Sequence, residues 1–233
     1  MSMPYRAKFS HLPSARVRAP SRALLRDRRR RGMLCGMGQA LRKKDDHYTY
    51  GDYLSWPDGE RWELINGTAW NMSPAPSRAH QEVLGRLYLL FATWLRDKPC
   101  RVFLAPFDVI LPAEPDQADR EVDTVVQPDL SVFCDPRRLT DAGARGAPDL
   151  VVEILSPWTS KKDLNDKFTL YETRGVREYW VVDPAGNPAG SVQIYHINKD
   201  GLYDDPEILV KNGLAASEVL EGFTLEIAEL FPV

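Results

Sequence analysis

The segment Asp149-Leu150-Val151-Val152-Glu153-Ile154-Leu155 constrains the fold more than any other, because Glu153 is the only charge inside an otherwise aliphatic run. A short apolar run of this kind reads as a strand covered on both faces, as in a parallel sheet. Ser156-Pro157 ends it, since proline has no amide proton to continue a ladder. Ser160 followed by Asp163 then has the spacing of a helix-capping arrangement, opening a helix that runs to Thr173 and stops at Gly175. Arg177 to Val182 reads as the next strand. A strand–helix–strand unit of this length predicts parallel neighbours with the helix against one sheet face.

Upstream, Thr49 to Leu54 opens a short amphipathic helix that Pro57-Asp58-Gly59 stops. Arg61 to Ile65 and Thr68 to Met72 flank Asn66-Gly67, the pair best suited to two successive positive φ angles, and predict a β-hairpin. From Ser77 to Arg96 the residues Val83, Leu84, Leu87, Leu90, Phe91, Trp94 and Leu95 recur at helical spacing, with His80 on the same inward side. Val102 to Leu111 reads as a strand broken by Pro106, and Val125 to Phe133 as one apolar enough for a central place. Ser191 to Ile197 and Ile208 to Lys211 are further β segments, and an amphipathic piece lies around Leu225 to Phe231.

With 233 residues and 43% apolar content, one domain with a substantial core is expected. Residues 1–44 carry thirteen Lys/Arg against the single acid Asp27, whereas residues 45–233 carry seventeen bases against thirty-two acids. The first segment lacks apolar periodicity, so 1–46 is expected to be a disordered basic tail and 47–233 the folded domain. Arg26 and Arg28 to Arg31 could hold phosphates, and the position of Met33 and Met37 just before the first patterned segment leaves open whether residues 1–32 precede the natural start. No stretch approaches the length of a membrane span, and no apolar core of a secretion signal follows the first charges. Cys35, Cys100 and Cys134 are odd in number and widely spaced, which argues against both a disulfide framework and a zinc site and predicts a reducing, cytoplasmic setting.

Glu153 is costly in such a strand unless it is paired, hydrogen-bonded or bound to a cation. Asp129, after Pro128 and before Leu130-Ser131-Val132-Phe133, sits at the mouth of another apolar strand. If the two strands are neighbours the acids converge, and hard oxygen ligands suit Mg²⁺ or Mn²⁺ better than zinc. At 100° per residue, Leu164, Lys167, Phe168 and Tyr171 share an arc of about 100°, the width of a core-facing stripe, so Lys167 points inward. A lysine there could stabilise charge building on a phosphate oxygen, although its stem could also carry the ammonium past the core to water.

Glu63-Leu64-Ile65-Asn66-Gly67, Met72-Ser73-Pro74, Gln127-Pro128-Asp129-Leu130, Val152 to Pro157, Asp163 with Lys167 and Tyr171, and Gly175 to Pro184 form an ordered set. Over residues 47–233 this set resembles the Uma-two (Uma2) family of the PD-(D/E)XK, restriction-endonuclease-like superfamily. The resemblance implies an α/β fold, a mixed β-sheet flanked by α-helices with an N-terminal β-hairpin, and a divalent-metal site for phosphodiester hydrolysis. By position it makes Asp129 the PD aspartate and Glu153 the acid of the second element. Leu155 stands where that element would place its lysine, a departure from the superfamily pattern, and Lys167 matches a lysine displaced to the following helix. Glu63 matches an additional acid near the metal, and His80 and Gln81 match polar positions at the start of the long helix.

The expected function is Mg²⁺-dependent (or Mn²⁺-dependent) endonuclease cleavage, most naturally of DNA, with Asp129, Glu153 and Glu63 at the metal and Lys167 as electrostatic stabiliser. A two-fold dimer would ease cutting of both strands. The acidity of residues 45–233 keeps open an inactive nuclease fold that binds a protein partner, and paired carboxylates alone would also suit a glycosidase, which has no need of Lys167. Trp158, Trp180 and Tyr195 could stack on bases, although burial is the commoner use of such rings.

Overall fold

The computed structural model describes residues 47–57, 60–72, 76–156, 161–185 and 190–231, with backbone alone at 161–163. The expected tail, the capping Ser160 and Trp158 lie outside the described residues. Four α-helices, α1 (Tyr50–Tyr53), α2 (Arg78–Leu95), α3 (Lys161–Thr173) and α4 (Ile227–Leu230), accompany fourteen strands among these residues.

The expected α/β architecture of mixed sheet and flanking helices is present, with its strands divided between two six-stranded sheets and a small two-stranded one. The first orders β2 (Thr68–Asn71), β1 (Trp62–Ile65), β5 (Val125–Val126), β4 (Val109–Ile110), β8 (Gly143–Arg145) and β7 (Leu139–Thr140). The second orders β12 (Glu207–Val210), β11 (Ser191–His196), β10 (Glu178–Asp183), β9 (Leu150–Ile154), β6 (Leu130–Phe133) and β3 (Arg101–Leu104), and a small pair joins β13 (Leu214–Ala216) to β14 (Thr224–Glu226). Both sheets are mixed: β9 runs parallel to β10 but antiparallel to β6, and β4 runs parallel to β8 but antiparallel to β5. The sheet of Glu153 is therefore not the parallel sheet that its composition suggested.

The predicted strand Val125–Phe133 is in fact two strands, one in each sheet, separated by Gln127-Pro128-Asp129. Val102–Leu111 divides in the same way around Pro106, giving β3 to the second sheet and β4 to the first. At each crossing the proline removes a backbone donor, so the ladder is released and the chain can change sheets. The hairpin keeps its predicted turn, with φ of 48° at Asn66 and 72° at Gly67. A Cβ at Gly67 would lie 2.1 Å from His47 Nδ1, a second reason for glycine there.

Alternation along β9 and β10 sorts the core into two halves. Leu150, Val152, Ile154, Trp180 and Val182 pack with Leu84, Leu87 and Phe91 of α2. Val151, Tyr179 and Val181 pack with Leu170 and Tyr171 of α3 and with Ile65 and Val109 of the first sheet. Glu153 is in phase with Val151 and so points toward α3.

Cys100 and Cys134 form a disulfide, contrary to the expectation from their spacing. Arg101 pairs with Phe133 at the end of the antiparallel β3–β6 ladder, which brings the residues just beyond them together although they are 34 positions apart in sequence. A chain with this bond gives no cysteine-based argument for a reducing compartment. Among the described residues no helix is long and apolar enough to cross a membrane.

Candidate active site

The junction between the two sheets gathers the acids singled out in sequence. Glu63 comes from β1 of the first sheet, Glu153 from β9 of the second, Asp129 from the segment where the chain crosses between them, and Lys167 from α3. Leu130 pairs with Val152, so one step further along the antiparallel ladder sets Asp129 across from Glu153. Glu63, Glu153 and Lys167 are buried, at 5%, 9% and 7% exposure, whereas the Asp129 side chain keeps 21% and marks the solvent side.

Lys167 Nζ lies 3.0 Å from Glu153 Oε1 and 3.2 Å from Glu63 Oε1, so the inward lysine is an ammonium between two carboxylates and not a stem passing to water. Tyr171, one turn further along α3, donates its hydroxyl to Glu153 Oε1 at 2.6 Å. The Gln127 amide donates to Glu63 Oε1 at 2.8 Å. Asp129 Oδ2 accepts the Ile154 amide at 2.8 Å and faces His80 Nε2 at 3.1 Å. His80 reaches this point from the third position of α2, whose amino end is capped by the Ser77 hydroxyl. Its Nδ1 is buried with no hydrogen-bond partner among the described residues. Gln81 is exposed and stands outside the cluster.

Two carboxylates on one ammonium, with Asp129 beside Glu153, leave an excess of negative charge in a water-poor place. Burial pushes the Glu153 carboxyl up to about 7, Lys167 opposes the shift, Asp129 and Glu63 add to it, and the Tyr171 hydrogen bond opposes it. Burial pulls the His80 ring down, but its hydrogen bond and charge attraction to Asp129, with help from Glu153, leave it above its ordinary value. Burial and then Glu153 raise the Tyr171 hydroxyl, which keeps it a donor.

The donor set suits a hard divalent cation in part. Asp129 Oδ1 and Glu153 Oε2 carry no hydrogen bond among the described residues, and such oxygens are the ligands that Mg²⁺ and Mn²⁺ take. Among the described residues, however, no three His, Cys, Asp or Glu side chains are grouped to hold an ion by themselves. A cation at Asp129 and Glu153 would need water or substrate oxygens to complete its shell, the usual state of Mg²⁺ at phosphate-handling sites.

Gln127, whose backbone amide fixes Glu63, does not stand out in the sequence, although it lies two residues before Asp129 in the Gln127-Pro128-Asp129-Leu130 motif. The sequence also leaves Trp180 open as a base-stacking ring, whereas Trp180 is fully buried, with its indole N–H on Glu178 Oε1 at 2.6 Å.

Residues 50–228 match the model of the Uma2 family, described as "Putative restriction endonuclease". An uncharacterized protein of Synechocystis sp. (strain ATCC 27184 / PCC 6803 / Kazusa) is 28% identical over 152 residues, which cover 64% of this chain and 74% of the relative. A crystal structure described as that of a putative nuclease belonging to DUF820, from Anabaena variabilis ATCC 29413, superimposes with a TM-score of 0.62 at 21% identity. That match covers 78% of this chain and 97% of the other, and it shows a shared fold.

Proposed function

Because the chain belongs to the Uma2 family, described as "Putative restriction endonuclease", we propose that it hydrolyses phosphodiester bonds in DNA with the help of Mg²⁺ or Mn²⁺ at the Asp129–Glu153 cluster. The observation that carries this reading is Lys167, buried 3.0 Å from Glu153 and 3.2 Å from Glu63 beside a third acid. A carboxylate pair used for glycoside hydrolysis needs no such cation.

Asp129 and Glu153 would hold the ion, and Glu63 would assist directly or through water while fixing Lys167. When bound, the cation supplies Lewis acidity, polarising a water and offsetting charge on the scissile phosphate. Lys167 brings a positive charge that needs no reorganisation when charge builds on a phosphate oxygen. Tyr171 steadies Glu153 by its hydroxyl, and His80 holds one oxygen of Asp129 so that the other stays turned to the ligand side. Residues 45–233 carry an excess of fifteen acids, so the affinity for a polyanion rests on the cation, on Lys167 and on local bases.

Purified chain with Mg²⁺ or Mn²⁺ is expected to nick or cut plasmid DNA, and Glu153→Ala and Lys167→Ala to stop cutting while keeping the wild-type circular dichroism. Equal cutting by the variants would reject the assignment. Absence of cutting together with absence of Mn²⁺ binding by calorimetry would favour a nuclease fold used only to bind a partner.

A further inference from the structure

Gln127 serves two places at once. Its backbone amide holds Glu63, while its side chain lines a separate, half-open cavity of about 540 Å³ bordered by α1, the start of β1 and the loops before β4 and β8. A cavity of that size is in the range that holds small ligands. The Asp129–Glu153–Lys167 chemistry does not use it.

The polar floor of this cavity is fixed. Gln127 Oε1 accepts from Arg61 Nη2 at 3.0 Å, and Gln127 Nε2 donates to Asp108 Oδ1 at 2.8 Å. Tyr53 donates its hydroxyl to the same Asp108 oxygen at 3.0 Å. Asp108 Oδ1 is therefore filled, and Oδ2 carries no hydrogen bond among the described residues. The Ala144 amide donates to the Asp108 carbonyl at 2.8 Å, an approach that Gly143 permits because a Cβ there would clash with that oxygen. The walls are aromatic: Trp56, Phe107 and Trp62, whose indole N–H is tied to Glu60 Oε2 at 2.9 Å.

Aromatic walls around a fixed acceptor are what a flat heterocycle with N–H donors requires. Charge narrows the choice. Glu60, Asp108 and Asp141 line the cavity against Arg61 alone, so a phosphate is disfavoured inside while a neutral, donor-edged ring is not. Among nucleobases, guanine puts its N1–H and amino donors on one edge, for Asp108, and its O6 and N7 acceptors on another, for the remaining N–H groups of Arg61. Arg61 precedes Glu63 by two residues and Gln127 precedes Asp129 by two, so the cavity adjoins the acid cluster through both.

We propose that this cavity is a second binding site that takes a guanine base turned out of its stack beside the phosphodiester at the acid cluster. The source of the base rests on the nuclease reading; the pocket chemistry does not. A base held there would set which phosphate meets Asp129 and Glu153, as enzymes that read extruded bases do.

The test uses free deoxyguanosine and thymidine, followed by saturation-transfer NMR with the full-length chain, so neither phosphate nor cutting enters. Deoxyguanosine is expected to bind saturably, and thymidine about tenfold more weakly. Asp108→Asn, which removes the charged acceptor, and Trp56→Leu, which removes a half-buried ring that packs against Tyr53, should each weaken deoxyguanosine about tenfold. Both variants must melt within a few degrees of wild type, and either one alone suffices. The proposal is overturned by equal binding of the two nucleosides, by undiminished deoxyguanosine binding in a folded variant, or by no nucleoside binding. Failure of the nuclease reading looks different: no cutting of any nucleic acid with Mg²⁺ or Mn²⁺, whatever the nucleosides do.

Discussion

Two buried glutamates, Glu153 on β9 and Glu178 on the adjacent β10, show how the same side chain becomes a reactive group in one place and a fastening in another. Glu178 is fully buried and points to the opposite sheet face, where its oxygens accept from Trp180 Nε1, Ser217 Oγ and the amides of Glu218 and Val219 at 2.6 to 3.0 Å. These donors belong to the fold itself and tie the β13–β14 region to the central sheet. Glu153 shares its field with Asp129 and Glu63 and has Lys167 and Tyr171 on one oxygen only. Full satisfaction by neutral donors makes an anchor. Crowding by like charges with one oxygen left over makes a ligand that waits for a cation.

The contrast between the two glutamates breaks most visibly in activity. Glu153→Gln should abolish metal-dependent cutting, whereas Glu178→Gln should leave cutting by the surviving folded fraction at wild-type rate; loss in both at equal stability would end the distinction. Stability should move the other way. Glu178→Ala leaves several buried donors unsatisfied and should cost about 3 kcal/mol or more in urea unfolding. Glu153→Gln should stabilise the metal-free protein at pH 8 by roughly 1 to 3 kcal/mol, because it removes the cost of ionising a buried carboxyl.

The sign follows from linkage. The Glu153 carboxyl is raised from 4.5 to about 7 in the folded chain. Its contribution to stability is thus fully present below about 4.5 and is lost as pH rises through about 7. A urea midpoint that falls between pH 5 and pH 8 in wild type and stays flatter in Glu153→Gln is expected. Because a cation binds the ionised form, Mn²⁺ titration near pH 6 should release close to one proton, read from calorimetry in buffers of different ionisation enthalpy, and almost none at pH 8.5. The smallest effect belongs to Tyr171→Phe. Losing the 2.6 Å hydrogen bond should cost about 1 kcal/mol and move the acid limb of the cutting profile upward by less than one pH unit.

Half of this contrast is legible in the amino-acid sequence. Glu153 stands out because its strand is apolar on both sides, and Lys167 because its helical phase matches Leu164, Phe168 and Tyr171. Glu178 does not stand out: it lies at a predicted strand's start, where an acid is unremarkable, and its partners come from residues about forty positions later. The floor of the aromatic cavity likewise depends on Tyr53, Asp108 and Gln127, which have no common local pattern.

By itself the sequence determined what short-range periodicity and turn chemistry control: the hairpin at Asn66-Gly67, helices α2 and α3, strands β9 and β10, and the inward phase of Lys167. Those signals arise from the fixed geometry of strand and helix and act over a few residues. Tertiary structure alone decided that two apolar runs change sheets at their prolines, that Cys100 meets Cys134, and that Glu63 and Glu153 close on one lysine with Asp129 across from Glu153. Each of those outcomes joins positions tens of residues apart, and which distant partners meet is set by the packing of whole layers, to which no local pattern is tied.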